Sequence, residues 1–310
     1  MVESIRVFAP ATVANVSCGF DVLGFAVNRP GDEVEIRVSP KKGVVIKKIT
    51  GDQGKLSLDP MQNTAGIAIV KFLEAMKIDK GVEVVLHKKM PLGSGLGSSA
   101  ASAAAGAFAV NALFGKPLKN EDLVPFALEG ERIACGSAHA DNVGPALLGG
   151  FVLIRSYNPL DIVKIPTPVS LYATIIHPHI EIRTKDARQL LKKQILLEDA
   201  VKQWGNVGGL IAGLMQSDYD LIGRSMHDAI VEPIRSLLIP GFADIQKAAV
   251  EAGALGSGIS GSGPSIFALS SSASAAEAAG ESMKNVFKKL NIDSDLYVSK
   301  INHKGPQVLD

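Results

Sequence analysis

Over the first 90 residues, apolar and polar positions alternate in short runs: "IRVFA" (5–9), "EVEIRV" (33–38), "VVIKKI" (44–49) and "VEVVLHK" (82–88). This spacing predicts four strands. Between the last two, "NTAGIAIVKFLEAMK" (63–77) shifts to helical spacing behind Asn63, which is placed to cap it. An uncharged, alanine-rich block (100–113) predicts a helix buried within protein, and "KNEDLVPFALEGERI" (119–133) a further helix. A strand, "GGFVLIRS" (149–156), comes next. "YNPLDIVKIPTP" (157–168) concentrates turn residues and is read as a domain boundary, giving domains 1–160 and 161–310.

The second half opens with a strand, "SLYATIIH" (170–177). "TKDARQLLKKQI", "NVGGLIAGLMQ", "DLIGRSMHDAI" and "GFADIQKAAVEAG" then follow the helical period. It closes with a strand "SIFALS" (265–270), a helix (273–290) and a strand "DLYVSKI" (295–301). A strand-rich half followed by a mixed half, without regular βαβα alternation, indicates an α+β protein of two domains.

Composition narrows the partners. The 310 residues are 46% hydrophobic and 20% charged, enough for a packed core, and the net charge is +1. No strong attraction to nucleic acid or membrane follows from that balance, so neither is expected as a partner. Glu3 and Pro10 interrupt the apolar core a signal peptide needs, and no window is greasy enough to span a bilayer. Cys18 and Cys135 show neither metal spacing nor a disulfide framework, which fits a reduced, cytoplasmic setting.

The chemistry gathers in "MPLGSGLGSSAASAAAGAFAVNALFG" (90–115), where a strand runs into Gly93, Gly95 and Gly97 and then a helix. Backbone N–H groups at a helix start are unpaired and sit at the positive end of the dipole. Glycines before it let the chain wrap closely around an anion. The loop therefore reads either as a plain turn or as a phosphate cradle. It is not a P-loop, because Ser98 follows Gly97 where Lys is required, and not a dinucleotide fingerprint, because Gly95 and Gly97 lie too close. A second loop, "GALGSGISGSGPSIFALS" (253–270), shifts the balance toward a polyphosphate or substrate gripped from two sides.

Three stretches carry a resemblance. "PLGSGLGSSAASAAA" resembles the central signature of the GHMP kinases, small-molecule kinases of galactose, homoserine, mevalonate and phosphomevalonate. "APATVANVSCGFDVLG" (9–24) is similar to their N-terminal motif and "GSGISGSGPSIFAL" (256–269) to their C-terminal one. Within the family, "ANVSCGFDVLG", "EGERIACGSAHADNVGPALLGG" (129–150), "TKDAR" (184–188) and "EPIR" (232–235) are most similar to the members that phosphorylate homoserine. Val13, Val16 and Ser17–Cys18 depart from the commoner pattern. The resemblance implies an N-terminal domain like ribosomal protein S5 domain 2, a ferredoxin-like C-terminal domain, and a nucleotide in the cleft between them. It also implies ATP and Mg2+ as cofactors, L-homoserine as substrate, threonine biosynthesis as context, and a homodimer.

Residue by residue, the resemblance assigns ATP to Pro91, Gly93, Ser94, Gly95, Leu96 and Gly97, to Ser98, Ser99 and Ala100 at the helix start, and to Asn63, Ser260 and Gly261. Magnesium takes few protein oxygens, so one hydroxyl and one carboxylate suffice; Ser99 and Glu131 are assigned, with Ser98 and Glu129 as their nearest competitors. A substrate carboxylate calls for an Arg fork, assigned to Arg188 and Arg235 with Thr184 beside the first. Asp21 is assigned to the substrate ammonium, Asn15 to the reacting end and His139 to substrate contact. Asn142 occupies the place where mevalonate-type relatives put an Asp, with Asp141 its neighbour; an amide leaves the site without a strong base there. His87, His177, His179, His227 and His303 are read as structural or solvated. Other GHMP kinase substrates (mevalonate, shikimate, a sugar) and a non-catalytic sensor on the same fold are the alternatives.

Overall fold

The computed structural model describes residues 3–136, 139–182 and 184–309. Ser137 and Ala138 of the "GSAHADN" block lie outside them. The chain runs β1 (Ser4–Ala14), β2 (Leu23–Ser39), β3 (Val44–Thr50), α1 (Thr64–Ala75), β4 (Gly81–His87), α2 (Ser98–Leu113), α3 (Asn120–Cys135), α4 (Ala140–Leu148), β5 (Phe151–Tyr157) and β6 (Leu160–Ile165). It continues through β7 (Tyr172–Pro178), α5 (Thr184–Gln189), α6 (Leu197–Gln216), α7 (Tyr219–Ser225), α8 (Glu232–Arg235) and α9 (Phe242–Glu251). The last elements are β8 (Gly256–Ile259), β9 (Ile266–Ser270), α10 (Ala273–Lys289), β10 (Ser294–Lys300) and β11 (Gln307–Leu309).

The first sheet has the order β11-β1-β2-β4-β3, with β5 pairing the start of β2 and β6 pairing β5. β1 and β2 are longer than their alternating runs suggest, so the N-terminal motif is strand up to Ala14 and a turn from there to Leu23. Asn15, Val16, Ser17 and Asp21 take left-handed conformations in that turn. The expected boundary at residue 160 falls inside a hairpin, because Leu160–Ile165 is a strand paired with β5. The chain leaves the first sheet after Ile165 and returns at its end as β11 beside β1.

The second sheet, β10-β7-β9-β8, is antiparallel throughout. Strand, helices, two strands, helix, strand in that spatial order is the ferredoxin-like arrangement. Alternation divides its faces. Ala173, Ile175, Phe267 and Leu269 face the core shared with the first domain, while Ile176, Ile266 and Ala268 face a second core against α9 and α10. Phe25 joins the domains, stacked on Phe151 at 4.6 Å and edge-on to Phe267 at 5.7 Å.

The alanine helix α2 is buried around nearly its whole circumference. Small residues are what allow this: a Cβ on Gly106 would lie 2.8 Å from the Ala65 carbonyl oxygen of α1, and one on Gly130 of α3 would lie 2.7 Å from Ala103 Cβ. Three helices thus press close enough to hold the start of α2 rigidly. Asn63 caps α1 as expected, accepting from Ala65 and Gly66 N–H. Two expected elements are shorter: "TKDARQLLKKQI" is helical only over α5, and "DLIGRSMHDAI" ends with α7.

Candidate active site

A cavity of about 380 Å³ opens where the three motifs meet. Helix α2 starts at Gly97, which is left-handed (φ 65°) and supplies no side-chain cap, so the first N–H groups of the helix are not taken by a capping side chain. Only glycine fits there: a Cβ would sit 2.0 Å from Thr12 Oγ1. A Cβ on Gly95 would lie 2.5 Å from the Ser260 carbonyl oxygen, because the two glycine loops are in contact. Ser260 Oγ donates to the Gly95 carbonyl at 2.7 Å, and Ser265 N–H to that of Ser94. Residues 256–259 prove to be strand β8, so the second loop is the turn of a β8–β9 hairpin laid against the first.

Gly93, Ser94, Gly95, Gly97, Ser98, Ser99, Asn63 and Gly261 line the cavity. Leu96, Ala100 and Ser260 instead turn their side chains into the interior, and neither they nor Pro91 line it; these four shape the loop from behind. Asn63 is occupied by its cap and by a bond from Nδ2 to the Ser57 carbonyl. Ser94 Oγ is buried without a partner.

Beneath the helix start lies a cluster absent from the sequence expectations. Asp32, fully buried, accepts from Lys88 Nζ, from Ser98 Oγ (2.9 Å) and Ser102 Oγ (3.1 Å), and from Lys89 N–H (2.9 Å). Lys88 also donates to the Ser98 carbonyl at 2.9 Å and reaches the cavity wall. These bonds brace the first turn of α2 and separate the two serines: Ser98 hydroxyl is bound to Asp32, leaving Ser99 as the hydroxyl facing the cavity. The glutamates separate too. Glu129 is partly exposed beside Arg132, whereas Glu131 is buried, lines the cavity and has Oε1 without a partner. A buried carboxylate lacking a cation beside a free hydroxyl suits a hard divalent ion such as Mg2+. Among the described residues no group of three or more His, Cys, Asp or Glu forms a denser metal site.

The opposite end is built from charged side chains. Arg188 donates through Nη2 to both carboxylate oxygens of Asp21, at 2.8 and 2.9 Å, and to His139 Nε2 at 3.2 Å. Guanidinium can only donate, so Nε2 accepts and the ring proton sits on Nδ1, 3.5 Å from Glu131 Oε2. A continuous chain therefore runs from Asp21 through Arg188 and His139 to Glu131. Arg235, almost wholly buried, donates to the Gly261 carbonyl at 2.9 Å; Asn15 Nδ2 shares that acceptor at 2.7 Å, and Asn15 Oδ1 accepts from Asp21 N–H. Burial, and then the neighbouring Arg188, draw Arg235 below the ordinary guanidinium range against the pull of Asp21. Thr184 Oγ1 meets Ser262 Oγ at 3.1 Å.

At this end one residue escaped the sequence reading, and another entered it only as the neighbour of Asn142. Phe20 lies under both guanidiniums, 5.4 Å from Arg188 and 5.0 Å from Arg235, and sets their planes. Its place inside the "GFD" of the N-terminal motif was the available signal. Asp141 is buried, lines the cavity and has Oδ1 without a partner. Burial above all, then Asp21, pushes its pKa up to about 7, with His139 opposing. Asn142 accepts from Thr12 Oγ1 at 2.8 Å, so the amide nitrogen is the end left for the cavity, and the side chain cannot act as a base. Of the remaining histidines, His177 is buried against Ser265 and His179 pairs with Asp295; His87 bonds Glu35 and Thr50.

Comparison with known proteins agrees with this geometry. Residues 63–150 match the family described as GHMP kinases N terminal domain, and residues 210–289 match GHMP kinases C terminal. The chain belongs to the GHMP kinase family. The homoserine kinase of Chloroherpeton thalassium is 52% identical over 318 residues, covering 99% of this chain and 100% of its own. The homoserine kinase of Xylella fastidiosa strain M12 is 40% identical, covering 98% and 94%. The crystal structure of homoserine kinase from Cytophaga hutchinsonii superposes with a TM-score of 0.98 at 65% identity, covering 100% and 98%.

Proposed function

We propose that this enzyme transfers the γ-phosphoryl group of ATP to the side-chain hydroxyl of L-homoserine, giving O-phospho-L-homoserine for threonine biosynthesis. The observation that carries the reading is the acceptor end. It offers two guanidiniums against one aromatic ring and two carboxylates, Asp21 and Asp141, of which Asp141 is short of a partner. Cations and anions placed side by side match a zwitterion. Mevalonate and shikimate bring a carboxylate without an ammonium, and a neutral sugar brings neither; each leaves buried charge unpaired, which is costly.

The nucleotide phosphates lie along the glycine loop and the start of α2, with the Ser94 hydroxyl donating to them, while Lys88, whose three N–H donors go to Asp32, Ser98 and Ser102, braces the helix start from behind. The adenine end falls among Leu56, Leu92 and Ile133, apolar side chains that also line the cavity. Ser99 and Glu131 would hold magnesium, which supplies neutralisation of phosphate charge. Arg188 and Arg235 take the acceptor carboxylate, Asp21 and Asp141 its ammonium, and Asn15, His139 and Asn142 orient the hydroxyl toward the γ-phosphorus. Phosphoryl transfer passes through a loose transition state in which positioning and electrostatics supply most of the acceleration, so an amide at Asn142 is compatible with turnover.

Among the described residues no helix is long and apolar enough to cross a membrane. The reading places the enzyme in the cytoplasm as a homodimer; an exposed stripe of Leu197, Val201, Trp204 and Met215 on α6 supports the second point. The deciding assay couples ADP release to a panel of acceptors. Homoserine-dependent turnover far above that with mevalonate, shikimate or galactose is expected, and a preference for any of those would overturn the assignment.

A further inference from the structure

Tyr157 ends β5, belongs to none of the motifs that carry the resemblance, and is 44% exposed. Its phenol oxygen nonetheless turns inward and donates to the Asp21 carbonyl at 2.8 Å. The nearby backbone of Ala140 favours the ionised form of the phenol, but the hydrogen bond that the phenol makes is to Asp21. Burial first, and then the carboxylates of Asp141 and Asp21, outweigh that effect and hold the phenol protonated, well above its ordinary value. A protonated phenol is what a donor to the Asp21 carbonyl requires.

The Asp21 turn needs an anchor. Asp21 sits in the left-handed region (φ 59°), where a residue with a Cβ stays only if held. Asn15 holds its N–H, Arg188 its carboxylate and Tyr157 its carbonyl. Helix α4 begins at His139 without a side-chain cap, and its first turn carries Asp141 and Asn142. Asp21 and Asp141 are like charges near one another, and Asp21 disfavours ionisation of Asp141. Nothing in their own interaction keeps them together.

We propose that Tyr157 is a positioning residue for recognition of the acceptor amine: its hydroxyl holds the Asp21 turn by its carbonyl and so keeps the Asp21 carboxylate where the ammonium group is received. A ring with two torsions does this at small entropic cost. The inference rests on the amino-acid acceptor argued above.

Tyr157→Phe removes one oxygen and leaves the ring. The test is steady-state kinetics of the full chain with L-homoserine and with 4-hydroxybutanoate, which keeps the hydroxyl and carboxylate and lacks the amine. The second acceptor is read by turnover or, where turnover is slow, as its inhibition constant against homoserine. Loss of one neutral hydrogen bond predicts a KM for homoserine raised about 3- to 10-fold, with KM for ATP and the constant for 4-hydroxybutanoate within about twofold. The preference for the amino acid narrows by the same factor. A melting temperature and a calorimetric homoserine titration, taken below it, separate affinity from stability. An unchanged KM for homoserine, or equal losses on both acceptors and on ATP, would overturn the proposal. Wild-type enzyme that releases no ADP with homoserine defeats the proposed function itself, and this inference with it.

Discussion

At the glycine-loop end of the cavity, the phosphate end of the proposed reading, the groups on offer to a ligand are backbone N–H groups and two hydroxyls, held by glycine conformations and by the buried Asp32–Lys88 cluster. At the acceptor end they are charged side chains from four separate segments, held chiefly by each other. The first is fixed by steric fit, with clearances below 3 Å for any added Cβ at Gly95 and Gly97. The second is fixed by electrostatics and tolerates small movement, but it responds to charge and pH. A binding site made of backbone serves any nucleotide triphosphate; a site made of paired charges chooses its acceptor. Glu131 stands between them, lining the phosphate side while its other oxygen faces His139.

That position makes Glu131→Gln the most damaging single change. The variant keeps size and loses the charge that would hold magnesium, so turnover should fall on the order of 10³- to 10⁴-fold. Folding should survive, because no ion pair to an Arg or Lys is broken. Single-turnover measurements across a magnesium titration check this. Near-normal rates at saturating magnesium would remove Glu131 from the metal and return attention to partly exposed Glu129.

A crossed pair of variants tests whether the two ends are separable. Gly95→Val puts a β-branched side chain against the Ser260 carbonyl and should abolish binding of a non-hydrolysable ATP analogue, read by calorimetry. Arg235→Leu should leave that affinity nearly intact and lower kcat/KM for homoserine roughly 30- to 1,000-fold, the loss from unpairing a charge-assisted contact of about 2–4 kcal/mol. Arg188→Leu should behave likewise, somewhat more mildly, because Arg188 is partly exposed where Arg235 is buried. Equal effects of Gly95→Val and Arg235→Leu on nucleotide and acceptor would mean that the cavity works as one unit.

The phosphate end was far more legible in the sequence than the acceptor end, for the same physical reason that separates them. Glycine spacing before an uncharged helix is a local signal, and it singled out Gly93, Gly95 and Gly97 as a turn or a phosphate cradle, while Ser99 came from the family resemblance. Asp32 and Tyr157 act across long sequence separations, and no local pattern marks them; Phe20 was signalled only by its place in the "GFD" of the N-terminal motif. The choice between Asp141 and Asn142 could not be made by counting residues: both line the cavity, and what separates them is that Thr12 occupies the oxygen of Asn142 while Asp141 is left unpartnered. The fold shows the same division. The long periodic helices α1, α3 and α10 were visible, whereas β8 is a Gly-Ser run without a side-chain pattern, β11 is three residues that become strand only beside β1, and β6 was hidden among turn residues.

The smallest effect concerns pH and isolates the acceptor end. With its folded pKa near 7 against an ordinary 3.8, Asp141 keeps a proton in the folded protein that the unfolded chain has released. Between those two values the folded state binds more protons, so stability falls as pH rises from about 4 to 7 and levels off above. Asp141→Asn cannot titrate. Its stability relative to wild type should therefore climb across that window and then remain constant. A full shift of this size corresponds to roughly 4 kcal/mol; the cavity beside Asp141 admits water that relaxes the penalty, and about 1–2 kcal/mol is expected. Other groups that titrate in the same range, Glu232 among them, are common to both proteins and cancel in the difference. Urea denaturation of both at pH 4.5 and pH 8 measures it. A difference independent of pH would show that Asp141 is already ionised at low pH, and the acceptor end would then hold two full carboxylate charges before any ammonium arrives.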